Sequence, residues 1–141
     1  MLIRTATPSD AAAIAHLLTE LDYPGTESFI TDKIAQQLAH PDALLLVAAE
    51  GKQVLGFISL HFIPQLVLRG DFCRISYFCV ASTARSRGAG AQLEARAEFE
   101  ARARSCDRIE LHCNARRVQA HKFYQRQGYE ESPKYLLKRF K

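Results

Sequence analysis

The sequence predicts a single α/β domain: a mixed, mainly antiparallel sheet flanked by helices, in the order β-α-α-β-β-β-α-β-α-β. Three observations predict it. A wholly apolar run at 43–49 is followed by the turn Glu50-Gly51-Lys52-Gln53 and a second long apolar run at 54–63, which reads as a hairpin of interior strands. Ile14, Leu17, Leu18 and Leu21 stand at i, i+3, i+4, i+7, one buried stripe of a helix. In the second half, short apolar runs at 73–80 and 109–113 are separated by a helical pattern at 88–104, which predicts two adjacent parallel strands joined by a crossover helix.

Each element has local support. Residues 2–6 read as a short strand. Thr7-Pro8-Ser9-Asp10 then supplies a hydroxyl cap, proline at the first helical position and an acid in the first turn. Tyr23-Pro24-Gly25 breaks the chain, and Thr26 is placed to cap a second helix whose Ile30, Ile34 and Leu38 share a face. Pro64 ends the second hairpin strand, and 66–71 is a loop around Gly70. The helix at 88–104 turns Ala89, Leu93, Ala97 and Ala101 inward, with Glu98→Arg102 and Glu100→Arg104 as i,i+4 pairs on its wet side. A further helix over 115–127 stops at Gly128, and 135–140 reads as a last strand. No linker or internal repeat interrupts the series, so 1–141 is expected to be one domain.

Composition narrows the function. At 141 residues one hydrophobic core is the expectation, and 48% hydrophobic with 24% charged residues argues against disorder. The longest apolar run has seven residues, far short of the ~20 of a membrane helix, and no export signal is readable; a cytoplasmic protein is expected. The net charge of +4 suits an anionic ligand. Aromatic residues do not interleave with the arginines as stacking platforms would, so nucleic acid is not an expected partner. Cys73, Cys79, Cys106 and Cys113 form no CxxC pair and have no histidine at zinc-finger spacing; they read as reduced packing residues, and no metal site is expected.

Two segments can carry chemistry. Arg85-Ser86-Arg87-Gly88-Ala89-Gly90 crowds two arginines and two glycines onto a helix start directly after a strand. Free N–H groups, the positive end of the helix dipole and guanidinium groups together suit a pyrophosphate. A solvated glycine loop is the plain alternative. The dinucleotide fingerprint fails because Leu93 stands where glycine is needed, and no P-loop lysine follows. The second segment runs from Asn114 through Ala120, His121, Phe123 and Tyr124 to Gly128-Tyr129. Read without further context, Tyr124 is a core aromatic and His121 a half-buried helix residue.

The two motifs, Arg85-x-x-Gly88-x-Gly90 and Asn114…Ala120-x-x-Phe123-Tyr124-x-x-x-Gly128-Tyr129, come in the order and topology of the GNAT-type acetyl-CoA-dependent N-acetyltransferases. The resemblance covers nearly the whole chain, and Leu60-His61 with residues 120–130 looks most like the aminoalkylphosphonate N-acetyltransferase branch. The resemblance implies direct transfer of acetyl from acetyl-CoA to a primary amine of a small molecule. It implies that Arg85, Ser86, Arg87, Gly88, Ala89 and Gly90 wrap the CoA pyrophosphate. Phe78, Cys79 and Val80 would lend strand backbone to the pantetheine and acetyl carbonyl, Asn114 would touch the pantetheine, and Tyr124 would face the thioester sulfur as catalytic acid. Ser82 replaces a frequent proline. Tyr77 stands where many members carry a glutamate base, which leaves water, His61, Asp71 or Glu110 to take the amine proton. His61, Arg69 and Arg74 on the acceptor side favour an amine with an acidic group. Expected partners are therefore acetyl-CoA, a small amine and a second copy in a homodimer. The competing reading is a non-catalytic acyl-CoA-binding sensor.

Overall fold

In the computed structural model, residues 1–113, 115–132 and 135–140 are described. The hairpin is its centre. β2 (Ala43–Glu50) and β3 (Gln53–Ile63) pair antiparallel, with Leu46 opposite Ile58 and Leu44 opposite Leu60. β1 (Leu2–Thr5) joins β2 on one side and β4 (Phe72–Val80) joins β3 on the other, both antiparallel. β5 (Arg108–Leu111) follows β4, giving a five-stranded sheet in the order β1-β2-β3-β4-β5; β5 neighbours β4 as expected but ends at Leu111, short of the expected 109–113.

β2 and β3 carry apolar residues on both faces because both faces are covered. On one, α1 (Ala11–Glu20) and α2 (Ile30–Ala39) bring Ile14, Leu17, Leu18, Ile30 and Ile34 against Leu45, Val47 and Phe57. α3 (Ala89–Ala103) packs on β2, β3 and β4, and its Ala89, Leu93, Ala97 and Ala101 are all buried. Each large side chain so buried contributes about 1.5–3 kcal/mol. Gly56 is required where β3 meets β4: a Cβ there would lie 2.8 Å from the carbonyl oxygen of Cys79.

Several details differ from the sequence reading, each for a local reason. Residues 8–10 form a 3₁₀ turn before α1, held by Asp10 rather than by the Thr7 hydroxyl. The Asp10 carboxylate accepts the Thr7 N–H at 2.8 Å and the Arg4 guanidinium at 2.9 and 3.0 Å. Thr26 starts α2 through its carbonyl, which accepts the Phe29 and Ile30 N–H groups, while its hydroxyl is buried without a hydrogen-bond partner among the described residues. Glu100 pairs with Arg96 instead of Arg104, because Arg104 lies 3.9 Å over the Phe62 ring and bonds the Pro41 carbonyl.

The chain divides into two compact units, Met1–Glu110 and Leu111–Lys141. In the second, α4 (Val118–Arg126) is shorter than the expected 115–127, since 115–116 form a turn, and it ends before Gly128 at φ 94°. The strand expected at 135–140 is not one. Those residues lie in no helix and outside any ladder, with Leu136 87% and Phe140 90% exposed. An apolar, aromatic-rich segment makes a strand only where an edge takes its N–H and C=O groups.

Candidate active site

The Arg85–Gly90 segment follows β4 as expected. Ser82–Arg87 winds as a 3₁₀ turn, and Gly88 takes φ +83° to start α3. That left-handed backbone is what selects glycine here. A Cβ at Gly88 would meet nothing within 4 Å, so the approach to the first α3 amides is open. Arg85 and Arg87 are exposed beside it. Helix dipole, open backbone and two guanidinium groups fit a pyrophosphate dianion.

Two acids the sequence did not single out tune this corner. Glu50, at the end of β2, forms an ion pair with Arg87. Glu20, at the end of α1, accepts the Ser82 N–H at 3.2 Å and lies 3.4 Å from His16. Between α1 and the 81–83 turn runs a groove of about 440 Å³ lined by His16, Leu17, Glu20, Val54, Ser82 and Thr83.

Along β4, Val80, Cys79 and Phe78 lie opposite Gly56, Phe57 and Ile58. Cys79 is buried, and its Sγ–H points to the Leu17 carbonyl at 3.3 Å, the contact of a packing residue. The other thiols are no better as nucleophiles. Burial pushes Cys73 up to about 12 and raises Cys106 and Cys113 as well. Among the described residues no three His, Cys, Asp or Glu side chains are grouped to hold a metal ion.

Further down β4 the ladder slips. Ser59 lies opposite Tyr77 but Leu60 opposite Ile75, so Ser76 is an extra residue bulged out of the pairing. The bulge brings Ser76 to His61, whose Nδ1 is 2.7 Å from the Ser76 hydroxyl. Arg74 lies directly across from His61. Tyr77, in the position expected to lack a base, is 45% exposed and meets the Tyr23 ring edge-on at 5.6 Å. His61 is held below its ordinary value by burial first, then by His40 and Arg74. Nothing in the sequence marked Ser76 or Tyr23, because a bulge and a ring contact across the α1–α2 connection are matters of register and packing.

The remaining candidates are placed elsewhere. Arg69 is exposed in the β3–β4 loop. Asp71 precedes β4, seven residues before Phe78, about 23 Å along an extended chain. Glu110 is ion-paired with Arg108 at 2.9 Å. In the second unit, Tyr124 is half-buried on α4, edge-on to Phe123 and to Tyr129 with ring centroids 5.5 Å apart in each case. His121 is half-buried on the same helix. Asn114 lies outside the described residues.

Comparison with known proteins agrees with this geometry. The model of the acetyltransferase (GNAT) family matches residues 11–129. The aminoalkylphosphonate N-acetyltransferase of Salmonella typhimurium is 36% identical over 135 residues, covering 92% of this chain and 85% of that protein. The aminoglycoside N(6')-acetyltransferase type 1 of Klebsiella aerogenes is 30% identical over 111 residues, 74% of this chain and 73% of its own length. The crystal structure of a transcriptional regulator from Bacillus halodurans C-125 superposes with TM-score 0.91 at 26% identity, over 99% of both chains. These matches favour catalysis over the sensor reading, and the chain belongs to the acetyltransferase (GNAT) family as an N-acetyltransferase that uses acetyl-CoA to acylate an amine.

Proposed function

We propose that the acceptor is a small primary amine bearing an acidic group, with an aminoalkylphosphonate as the type. One observation carries this reading: the β4 bulge gathers Arg74, His61 and Ser76 at one patch of the β3–β4 surface. Such a patch offers the Arg74 guanidinium and the Ser76 hydroxyl to a tetrahedral oxyanion, as phosphonate recognition requires. The relative from Salmonella typhimurium supports the same class by its name.

In this reading Arg85, Ser86, Arg87, Gly88, Ala89 and Gly90 hold the pyrophosphate of acetyl-CoA, chiefly through α3 amides. Phe78, Cys79 and Val80 present backbone to the pantetheine and the acetyl carbonyl, with Asn114 on the pantetheine. Tyr124 gives its phenolic proton to the departing thiolate. Residues 1–141 act as one catalytic domain, which the family match running across the boundary of the two units supports. The protein works in the cytoplasm as a homodimer. Its four free cysteines favour a reducing compartment, and sedimentation of the purified chain tests the dimer.

A thiol-release assay with acetyl-CoA tests the substrate class. 2-Aminoethylphosphonate is expected to outperform spermidine in kcat/KM by at least an order of magnitude. A preference for the polycation overturns the reading.

A further inference from the structure

The reaction needs a group to take the amine proton, and the position where a glutamate is common holds Tyr77, leaving four candidates. Geometry removes two of them. Asp71 is at the far end of β4 from Phe78, and Glu110 is held by Arg108. Ser76, by contrast, is two residues from Phe78, about 7 Å along the strand, and it carries His61 with it.

Resting on the acetyl-transfer reading above, we propose that His61 is the proton acceptor for the amine, oriented by Ser76, which acts as a positioning residue. With Nδ1–H donating to the Ser76 hydroxyl, the free lone pair is on Nε2, and protonation leaves that hydrogen bond in place. No described residue takes Nε2 as a hydrogen-bond or ion-pair partner. The groups around the ring are consistent with a neutral imidazole. Arg74 faces it from β4, and His40 from the end of α2. From β2, Ala43 opposite brings no charge, and the neighbouring Asp42 carboxylate is turned to Arg104 at 3.5 Å. Burial and the two basic neighbours hold the ring below its ordinary value, which favours the neutral, proton-accepting form.

The step balances. The ammonium group of the substrate gives one proton to Nε2, and the freed nitrogen lone pair attacks the acetyl carbon. The C–N bond forms, and the C–S bond breaks with its electron pair leaving on sulfur. The second nitrogen proton is released as the amide forms, and the thiolate takes up one proton to leave as the CoA thiol. The His61 proton then leaves to solvent. An acidic group docked on Arg74 offsets the charge that opposes protonation of His61, so the substrate itself makes the base stronger.

The test is the pH profile of kcat/KM for 2-aminoethylphosphonate with acetyl-CoA. In the parent, kcat/KM is expected to fall on the acid side with a midpoint below the ordinary histidine value. His61→Gln keeps a partner for Ser76 but cannot take a proton. It is expected to fall about 10²-fold at pH 7 and to replace the parent's plateau above that limb with a rise of roughly tenfold per pH unit that follows the free amine, with acetyl-CoA affinity unchanged. Ser76→Ala, which leaves the imidazole in place, is expected to keep the limb and lose about tenfold in kcat. A parent-like profile in His61→Gln, or a Ser76→Ala variant without the limb, overturns the assignment. A parent that transfers acetyl to no amine overturns the acetyl-transfer reading, and the His61 role with it.

Discussion

The ion pair between Glu50 and Arg87 makes a measurable claim about acetyl-CoA binding. If Arg87 holds the pyrophosphate, the phosphates compete with Glu50 for one guanidinium. Removing Glu50's charge with Glu50→Gln then releases Arg87 before binding. The side chains are 37% and 44% exposed, so the pair is in the screened, weak class worth about 0.2–1 kcal/mol. Recovering that amount corresponds to acetyl-CoA binding about 1.4–5-fold more tightly. The gain is expected to shrink as salt rises, since the screening length falls from about 10 Å at 0.1 M to about 3 Å at 1 M. Isothermal titration of acetyl-CoA against parent and Glu50→Gln, at low and high sodium chloride, reads both effects. Arg87→Ala gives the opposite control and is expected to weaken binding. Unchanged or weaker binding in Glu50→Gln, or parental affinity in Arg87→Ala, refutes the assignment of Arg87 to the phosphates.

Three further outcomes are expected. Gly88→Leu places a side chain at φ +83°, costing about 1–2 kcal/mol in urea unfolding, and also fills the open approach to α3, so acetyl-CoA affinity falls. Asp10 is held below its ordinary carboxylate value first by the Arg4 hydrogen bond, so its contribution is complete above the unfolded value near 3.8 and is lost as pH falls through the folded one. Asp10→Asn is expected to cost about 1.5–3 kcal/mol at neutral pH and to flatten the acid side of the stability curve, read by thermal unfolding from pH 7 to 3. Tyr124→Phe is expected to leave folding and acetyl-CoA affinity intact while turnover falls on the order of 10²-fold; near-parental turnover, measured where chemistry limits the rate, reduces Tyr124 to packing.

What the sequence determined is what local backbone chemistry and burial period encode. The hairpin of β2 and β3 is legible because both its strands are buried on both faces and are therefore apolar throughout. The α1 and α3 stripes are legible because a helix repeats every 3.6 residues and its inner face must avoid water. The Gly88 corner is legible because a left-handed turn before a helix strongly favours glycine. Tertiary structure alone decided the rest. The His61–Ser76 pair exists because one extra residue in β4 shifts its register against β3, and a register slip leaves no mark in composition. The Glu50–Arg87 pair joins residues 37 apart in sequence, and the Tyr23–Tyr77 contact links the α1–α2 connection to β4. The 135–140 segment marks the same boundary from the other side. Its pattern reads as a strand, yet a strand is completed by the neighbour that accepts its hydrogen bonds, and no residue of the segment itself can specify that neighbour.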